Sequence, residues 1–169
     1  VKDARDVFLH IKRDARYHSL RDRDFLSDTE IQKIQAEYPN HHILRYYDFE
    51  NYIYHPQNIA EIAPEDFSKE VYVAEIVTQK NQKLNRKILP ALMASRQNYE
   101  EFKTNSKFKD KEVDAIVSDL ESDELERFYK YFDMKEQFDK SMLAPFNVKK
   151  EDLVQTNWFK QQIKFVLNP

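Results

Sequence analysis

Residues 17–50, YHSLRDRDFLSDTEIQKIQAEYPNHHILRYYDFE, decide the fold. Tyr17 to Leu20 reads as a short strand that runs into the charged cluster Arg21-Asp22-Arg23-Asp24. Ser27-Asp28-Thr29-Glu30 then fits a capping box, in which the serine hydroxyl takes the amide of Glu30 and the glutamate reaches back. Ile31, Ile34 and Tyr38 continue at helical spacing, so a helix is expected over about 28–38. Pro39-Asn40 ends it, and Ile43 to Tyr47, rich in branched and aromatic residues, reads as a second strand. Strand, crossover helix and strand within about 30 residues is a β-α-β unit, whose two strands are parallel with a right-handed crossover. That topology brings Asp22 and Asp24, after the first strand, to the same sheet edge as Asp48 and Glu50, after the second. Open parallel sheets bind ligands outside this carboxyl edge.

Working outward, residues 2–14 carry Val7, Phe8 and Ile11 among charges and read as an amphipathic helix. From Pro64, a favourable first helical residue, the pattern is helical to the end. Phe67, Val71, Ala74 and Val77 share a face, and Leu84, Ile88 and Leu92 extend it, with Pro90 as a kink or break. Val113, Ile116, Val117 and Leu120 mark another helix, Leu125, Phe128, Tyr129 and Phe132 the next, and Thr156 caps a last one carrying Phe159 and Ile163. The expected fold class is therefore α/β: a β-α-β portion with parallel strands (residues 1–62) followed by a mostly helical extension packed on it (residues 63–169).

The chain has 169 residues, 41% apolar and 34% charged, with 12 Phe and 10 Tyr as bulky anchors, and should bury a core. It has no apolar run of membrane-spanning length and no basic-then-apolar leader pattern, so a cytoplasmic location is expected. The absence of cysteine excludes disulfides, thiolate zinc sites and a Cys nucleophile. A net charge of −3 gives no bulk attraction to polyanions, so nucleic acid would need a local patch or a metal. There is no glycine at all, where ordinary usage predicts roughly 12. Left-handed turns and helix C-caps must then fall to Asn or Asp, and neither a phosphate-cradling Walker loop nor a nucleophile elbow can form.

Asp22, Asp24 and Glu50, with Asp48 beside them, are the candidate catalytic and metal-binding residues. Mg²⁺ takes hard oxygen ligands and keeps waters, and D-x-D at a strand end can aim two carboxylates at one point. The spacing alone is weak, because acidic-x-acidic also occurs at Asp28/Glu30 and Asp119/Glu121, where a solvated helix face explains it. Arg21, Arg23 and Arg45 are candidate contacts to a nucleic-acid backbone, against the plainer reading of ion pairing with the nearby acids.

The run Leu20-Arg21-Asp22-Arg23-Asp24-Phe25, the helix opened by Ser27-Asp28-Thr29-Glu30-Ile31, and Phe49-Glu50-Asn51-Tyr52-Ile53-Tyr54-His55-Pro56 together resemble the TOPRIM-like region that follows an ABC-type ATPase in bacterial OLD-like proteins. The resemblance covers roughly residues 16–62. It implies that Asp22 and Asp24 hold Mg²⁺ or Mn²⁺ for phosphodiester cleavage, with Glu50 of the E-N-Y segment as a ligand or neighbour; the glutamate that the family carries after an earlier strand has no counterpart before Asp22, so the site is expected to be incomplete in this chain. The resemblance further implies a nuclease module that is the carboxyl-terminal part of a longer antiphage defence protein, with an upstream ATPase, a nucleic acid substrate and a homo-oligomeric assembly. The rival reading is a non-catalytic interaction or regulatory module whose acids are merely solvated.

His41 and His42, adjacent on an extended chain, face opposite sides and make a poor shared metal pair. His55 is a candidate acid or base near Glu50, or a packing residue. Tyr46, Tyr47, Tyr52 and Tyr54 stack bases on one reading and fill the core on the commoner one. Trp158-Phe159 reads as an anchor, to this core or to a partner.

Overall fold

A computed structural model of the chain describes residues 18–98 and 106–164. The helix expected over 2–14 lies outside them. Strands β1 (Ser19–Arg21) and β2 (His41–Ile43) pair in parallel with Ser19 opposite His41 and Arg21 opposite Ile43. Helix α1 (Asp28–Glu37) makes the crossover, and its capping box forms as the sequence predicts. Ser27 Oγ accepts the Glu30 amide at 3.1 Å, and Glu30 Oε2 accepts the Ser27 amide at 2.8 Å. The described chain is therefore mixed α/β and mostly helical around a two-stranded parallel sheet.

The second strand lies earlier than expected, because the ladder ends where Leu44 N donates to Arg21 O at 3.0 Å. Arg45 N already turns to the Tyr52 hydroxyl at 2.7 Å, which takes 45–48 out of the sheet. Two short helices follow where none was expected, α2 (Phe49–Ile53) and α3 (Pro56–Ile62). Asp48 caps the first through the Asn51 amide, and His55 caps the second through the Gln57 amide with Pro56 just inside.

The absence of glycine has the anticipated result. Among the described residues only Asp24 (φ 51°) and Asn147 (φ 49°) have positive φ, the two residue types that tolerate it best. Asn147 ends a 3₁₀ turn over Lys140–Phe146, and Asp24 forms the sharp turn after β1.

The long helical run starts at Lys69, capped by Ser68, and not at Pro64. It passes from α4 (Lys69–Lys83) through one π-helical turn (Leu84–Ile88) into α5 (Leu89–Asn98). Pro90 cannot donate to the carbonyl one turn back, and the chain accommodates this as a wider turn in which Leu89 N donates to Leu84 O. Helices α6 (Ser106–Glu121) and α7 (Leu125–Phe128) match the expected periodicity, with Ile116, Leu120 and Phe128 buried. After α8 (Lys150–Leu153), Thr156 caps the last helix, α9 (Asn157–Gln162), as its sequence suggests. No helix among the described residues is long and apolar enough to cross a membrane.

One hydrophobic cluster runs from Phe25 and Leu44 to Phe159 and Ile163, so residues on both sides of position 62 share a core. Buried polar ties cross the same line. Asn51, with no exposed surface, donates to Tyr129 O and Phe132 O and accepts from Met134 N, while its own carbonyl accepts the Tyr129 hydroxyl. Asn58 donates to Ile53 O and, across that line, to Leu153 O. Arg96 grips Glu30 with both terminal nitrogens, at 2.7 and 2.8 Å, where neither side chain is more than 5% exposed. Arg96→Met leaves the Glu30 carboxylate buried without its countercharge, held only by the Ser27 amide, and should lower unfolding stability by about 3–5 kcal/mol. Adding Glu30→Gln, which keeps the capping box, should recover much of that loss in urea titrations.

Candidate functional site

The carboxyl edge of the two strands is built from three turns. Asp22 follows β1 directly and Asp24 occupies the left-handed position beyond it, its amide held by Tyr47 O at 3.0 Å. Asp48 caps α2 and Glu50 stands in the first turn of that helix. Asp133 arrives from the far end of the chain, after the 3₁₀ turn Tyr129–Tyr131, because the buried Asn51 amide holds the 129–134 backbone against α2.

These acids feel one another. The Asp22 carboxyl is raised above its ordinary value by loss of water, and further by Asp24 and Glu50, against relief from Lys135 and Arg21. Asp48 is raised to about 7, first by burial, then by Asp133, with the Asn51 amide opposing and Glu50 and Asp22 adding to the rise. Asp22, Asp24 and Glu50 are thus brought into one electrostatic neighbourhood, together with Asp48 and Asp133. Among the described residues, however, no three or more His, Cys, Asp or Glu side chains converge closely enough to enclose a metal ion.

A rim of lysines that the sequence reading did not single out borders these acids. Lys150 Nζ lies 3.1 Å from Glu50 Oε1, and Lys135 acts on Asp22. Lys140 Nζ donates to Lys135 O and sits over the Tyr54 ring. Burial lowers the Lys140 pKa, against the pull of Asp133, Asp48 and Glu50. These residues sit about 110–130 positions along from the D-x-D, in or at the start of turns too short to show a period.

The three arginines divide. Arg21 lies 3.6 Å from Asp24, and Arg45 is exposed with Glu126 at 3.3 Å. Arg23 is only 2% exposed, donates to Arg45 O, Asp28 and the Tyr131 hydroxyl, and stacks on the Tyr131 ring. Its guanidinium ties the turn after β1 to the start of α1 and to the 129–131 segment.

The aromatic residues likewise take their packing role. Tyr46 and Tyr52 are buried and meet edge to face, and burial pushes the Tyr46 hydroxyl up to about 12. His55 is buried between Tyr46, Tyr129 and the stacked Trp158 ring, and loss of water pushes it down to about 3. It stays neutral at physiological pH and acts as a helix cap. Trp158 therefore anchors to this chain's own core.

No protein-family profile, curated protein or solved structure matches the chain.

Asp48 makes the edge sensitive to pH. Between the ordinary carboxyl value of 3.8 and about 7, the folded chain keeps a proton that the unfolded chain has lost. Its contribution to stability is therefore full below pH 3.8 and lost as pH rises through about 7. Asp48→Asn caps a helix comparably well but does not ionise. Melting curves from pH 4 to 8 should show the wild type losing stability toward pH 8, and the variant losing less and being the more stable at pH 8.

Proposed function

We propose that this chain is a metal-dependent nuclease module that hydrolyses phosphodiesters with Mg²⁺ or Mn²⁺ at the carboxyl edge of its β-α-β unit. The observation that carries the reading is the gathering of Asp22, Asp24, Asp48 and Glu50 at the turns that follow the two strands, where burial first and the neighbouring acids second raise the Asp22 and Asp48 carboxyls. Like charges gathered at a ligand-binding edge cost stability, and a divalent cation is the partner that relieves them. The donor chemistry fits: hard carboxylate oxygens suit Mg²⁺, which commonly takes only one or two of them and completes its octahedron with water and substrate phosphate oxygens. An edge without a three-carboxylate cage is compatible with that habit.

Asp22 and Asp24 are the proposed ligands, and Glu50 a ligand or a neighbour, exchanging Lys150 for the cation. When bound, the ion lowers the pKa of a coordinated water and neutralises charge growing on the phosphate. The chain's own part is to hold the carboxylates on a rigid turn, through the Asp24 amide on Tyr47 and the Asp48 cap on α2. Arg21, Arg45 and the lysine rim supply the positive charge that a net-acidic chain needs beside a phosphate backbone. The resemblance to the TOPRIM-like region of OLD-like proteins supports the same reading. With it come an upstream ABC-type ATPase as partner, a nucleic acid substrate, a homo-oligomer, a role in antiphage defence and a cytoplasmic location.

A second reading, a non-catalytic interaction or regulatory module, draws on the structural tasks these acids already perform. Asp48 caps a helix, Glu50 pairs with Lys150, and Asp24 pairs with Arg21. Titration of Mn²⁺ with thermal melting, alongside nicking of supercoiled plasmid, separates the two. The nuclease reading expects Mn²⁺ to raise the melting temperature, with affinity falling on the order of 10–100-fold in Asp22→Asn and Asp24→Asn, and nicking lost in both. Binding and nicking that are absent in the wild type, or equal in all three proteins, favour the regulatory module.

A further inference from the structure

Among the described residues, the face of the strand pair that carries the exposed Leu20 also carries a second, chemically different group. Register places Leu20 beside His42, and His18, two residues before Leu20, projects from the same face. His18 Nδ1 and His42 Nε2 lie 3.0 Å apart, with their ring planes within 7°. His41 points the other way, buried at 1% exposure against the Ser19 hydroxyl. Adjacent histidines thus do diverge, and a facing pair arises between strands instead. Leu20 beside the pair is 42% exposed.

We propose that His18 and His42 form a binding site for a late first-row divalent transition metal, of the class of Zn²⁺ or Ni²⁺. Metal–imidazole bonds of about 2.0–2.1 Å to two nitrogens 3.0 Å apart subtend roughly 95° at the ion. That suits two neighbouring positions of a six-coordinate or square ion, and a slight opening reaches the tetrahedral separation of about 3.3 Å. The pair now shares a hydrogen bond, in which one imidazole donates and the other accepts. For both nitrogens to ligate, the donor ring moves its proton to its other nitrogen and each ring turns its lone pair toward the ion. Water fills the remaining positions. Imidazole is a poor ligand for Mg²⁺, so this site is distinct in its preference from the carboxylate edge and does not depend on the nuclease reading. A bound ion would cross-link β1 to β2 just ahead of the turns that carry Asp22 and Asp48.

Calorimetric titration of ZnCl₂ and NiCl₂ into the full chain, in excess Mg²⁺ to occupy the carboxylates, tests the proposal. The expected result is binding of one equivalent and a rise in melting temperature, both weakened at least tenfold by His18→Ala or His42→Ala. His41→Ala and Asp22→Asn should bind as the wild type does. Because His18 is exposed, its alanine variant should fold normally, and its melting curve without metal verifies this. Wild-type protein that does not bind either ion, affinity unchanged in both His18→Ala and His42→Ala, or equal loss in Asp22→Asn, would overturn the assignment.

Discussion

The buried pair of Glu30 and Arg96 is the constraint on which the arrangement depends. Glu30 satisfies the start of α1 and binds a guanidinium from the end of a helical run 66 residues away. Arg96 also donates to Phe25 O, so one side chain holds both the crossover helix and the turn that leads to it. Charges taken this far from water are tolerated only when geometry and partners are good, and removal of either leaves the other stranded. The pair therefore specifies one way of laying α5 against the β-α-β unit. The exposed salt bridge of Arg45 with Glu126 lacks that power because solvent screens it.

Asn51 applies the same logic with an amide. Its side chain satisfies two carbonyls and one amide of the 129–134 segment, in a region shielded from water by Tyr52, Tyr129 and Phe132. An apolar residue there would take this partner from Phe132 O and Met134 N, and leave Tyr129 O only the Phe132 amide at 3.4 Å; each buried group left unpaired costs about 1–3 kcal/mol. Through this contact a residue of the E-N-Y segment delivers Asp133 and Lys135 to the acidic edge. The segment's asparagine is thus a scaffold for that edge, while its glutamate faces the edge itself.

What could be read in the sequence followed from local rules. The capping box at Ser27 and Glu30 and the cap at Thr156 rest on contacts within a few positions, which spacing reveals, and the parallel strands on the connection rule for a strand, helix and strand in sequence. The second strand was displaced because Tyr52, seven residues on, captures the Arg45 amide, a competition that branched-residue content does not register. The helices at 49–62 were missed for a related reason: their caps are Asp48 and His55, followed by turns too short for a periodic pattern to emerge. Of the edge, Asp22, Asp24, Asp48 and Glu50 were legible through topology alone. Asp133 and the lysines were not, since only tertiary contacts through Asn51 bring them there. Arg23 looked like its neighbours in sequence, and its burial follows from the turn that the left-handed Asp24 imposes.

The π turn at Leu84–Ile88 has an effect on phase. Each residue of an α-helix advances the azimuth by about 100°, so a turn one residue wider than normal rotates everything beyond it relative to α4. Leu92 faces the core and Arg96 faces Glu30 on that rotated setting, while Tyr72 and Ile76 keep theirs on the near side. The run behaves as two screws joined at a fixed offset, and Pro90 discourages the offset from closing. Deletion of a single residue there would give a more regular helix whose far half presents the wrong stripe inward. Regularity at this point and the seating of Arg96 are mutually exclusive.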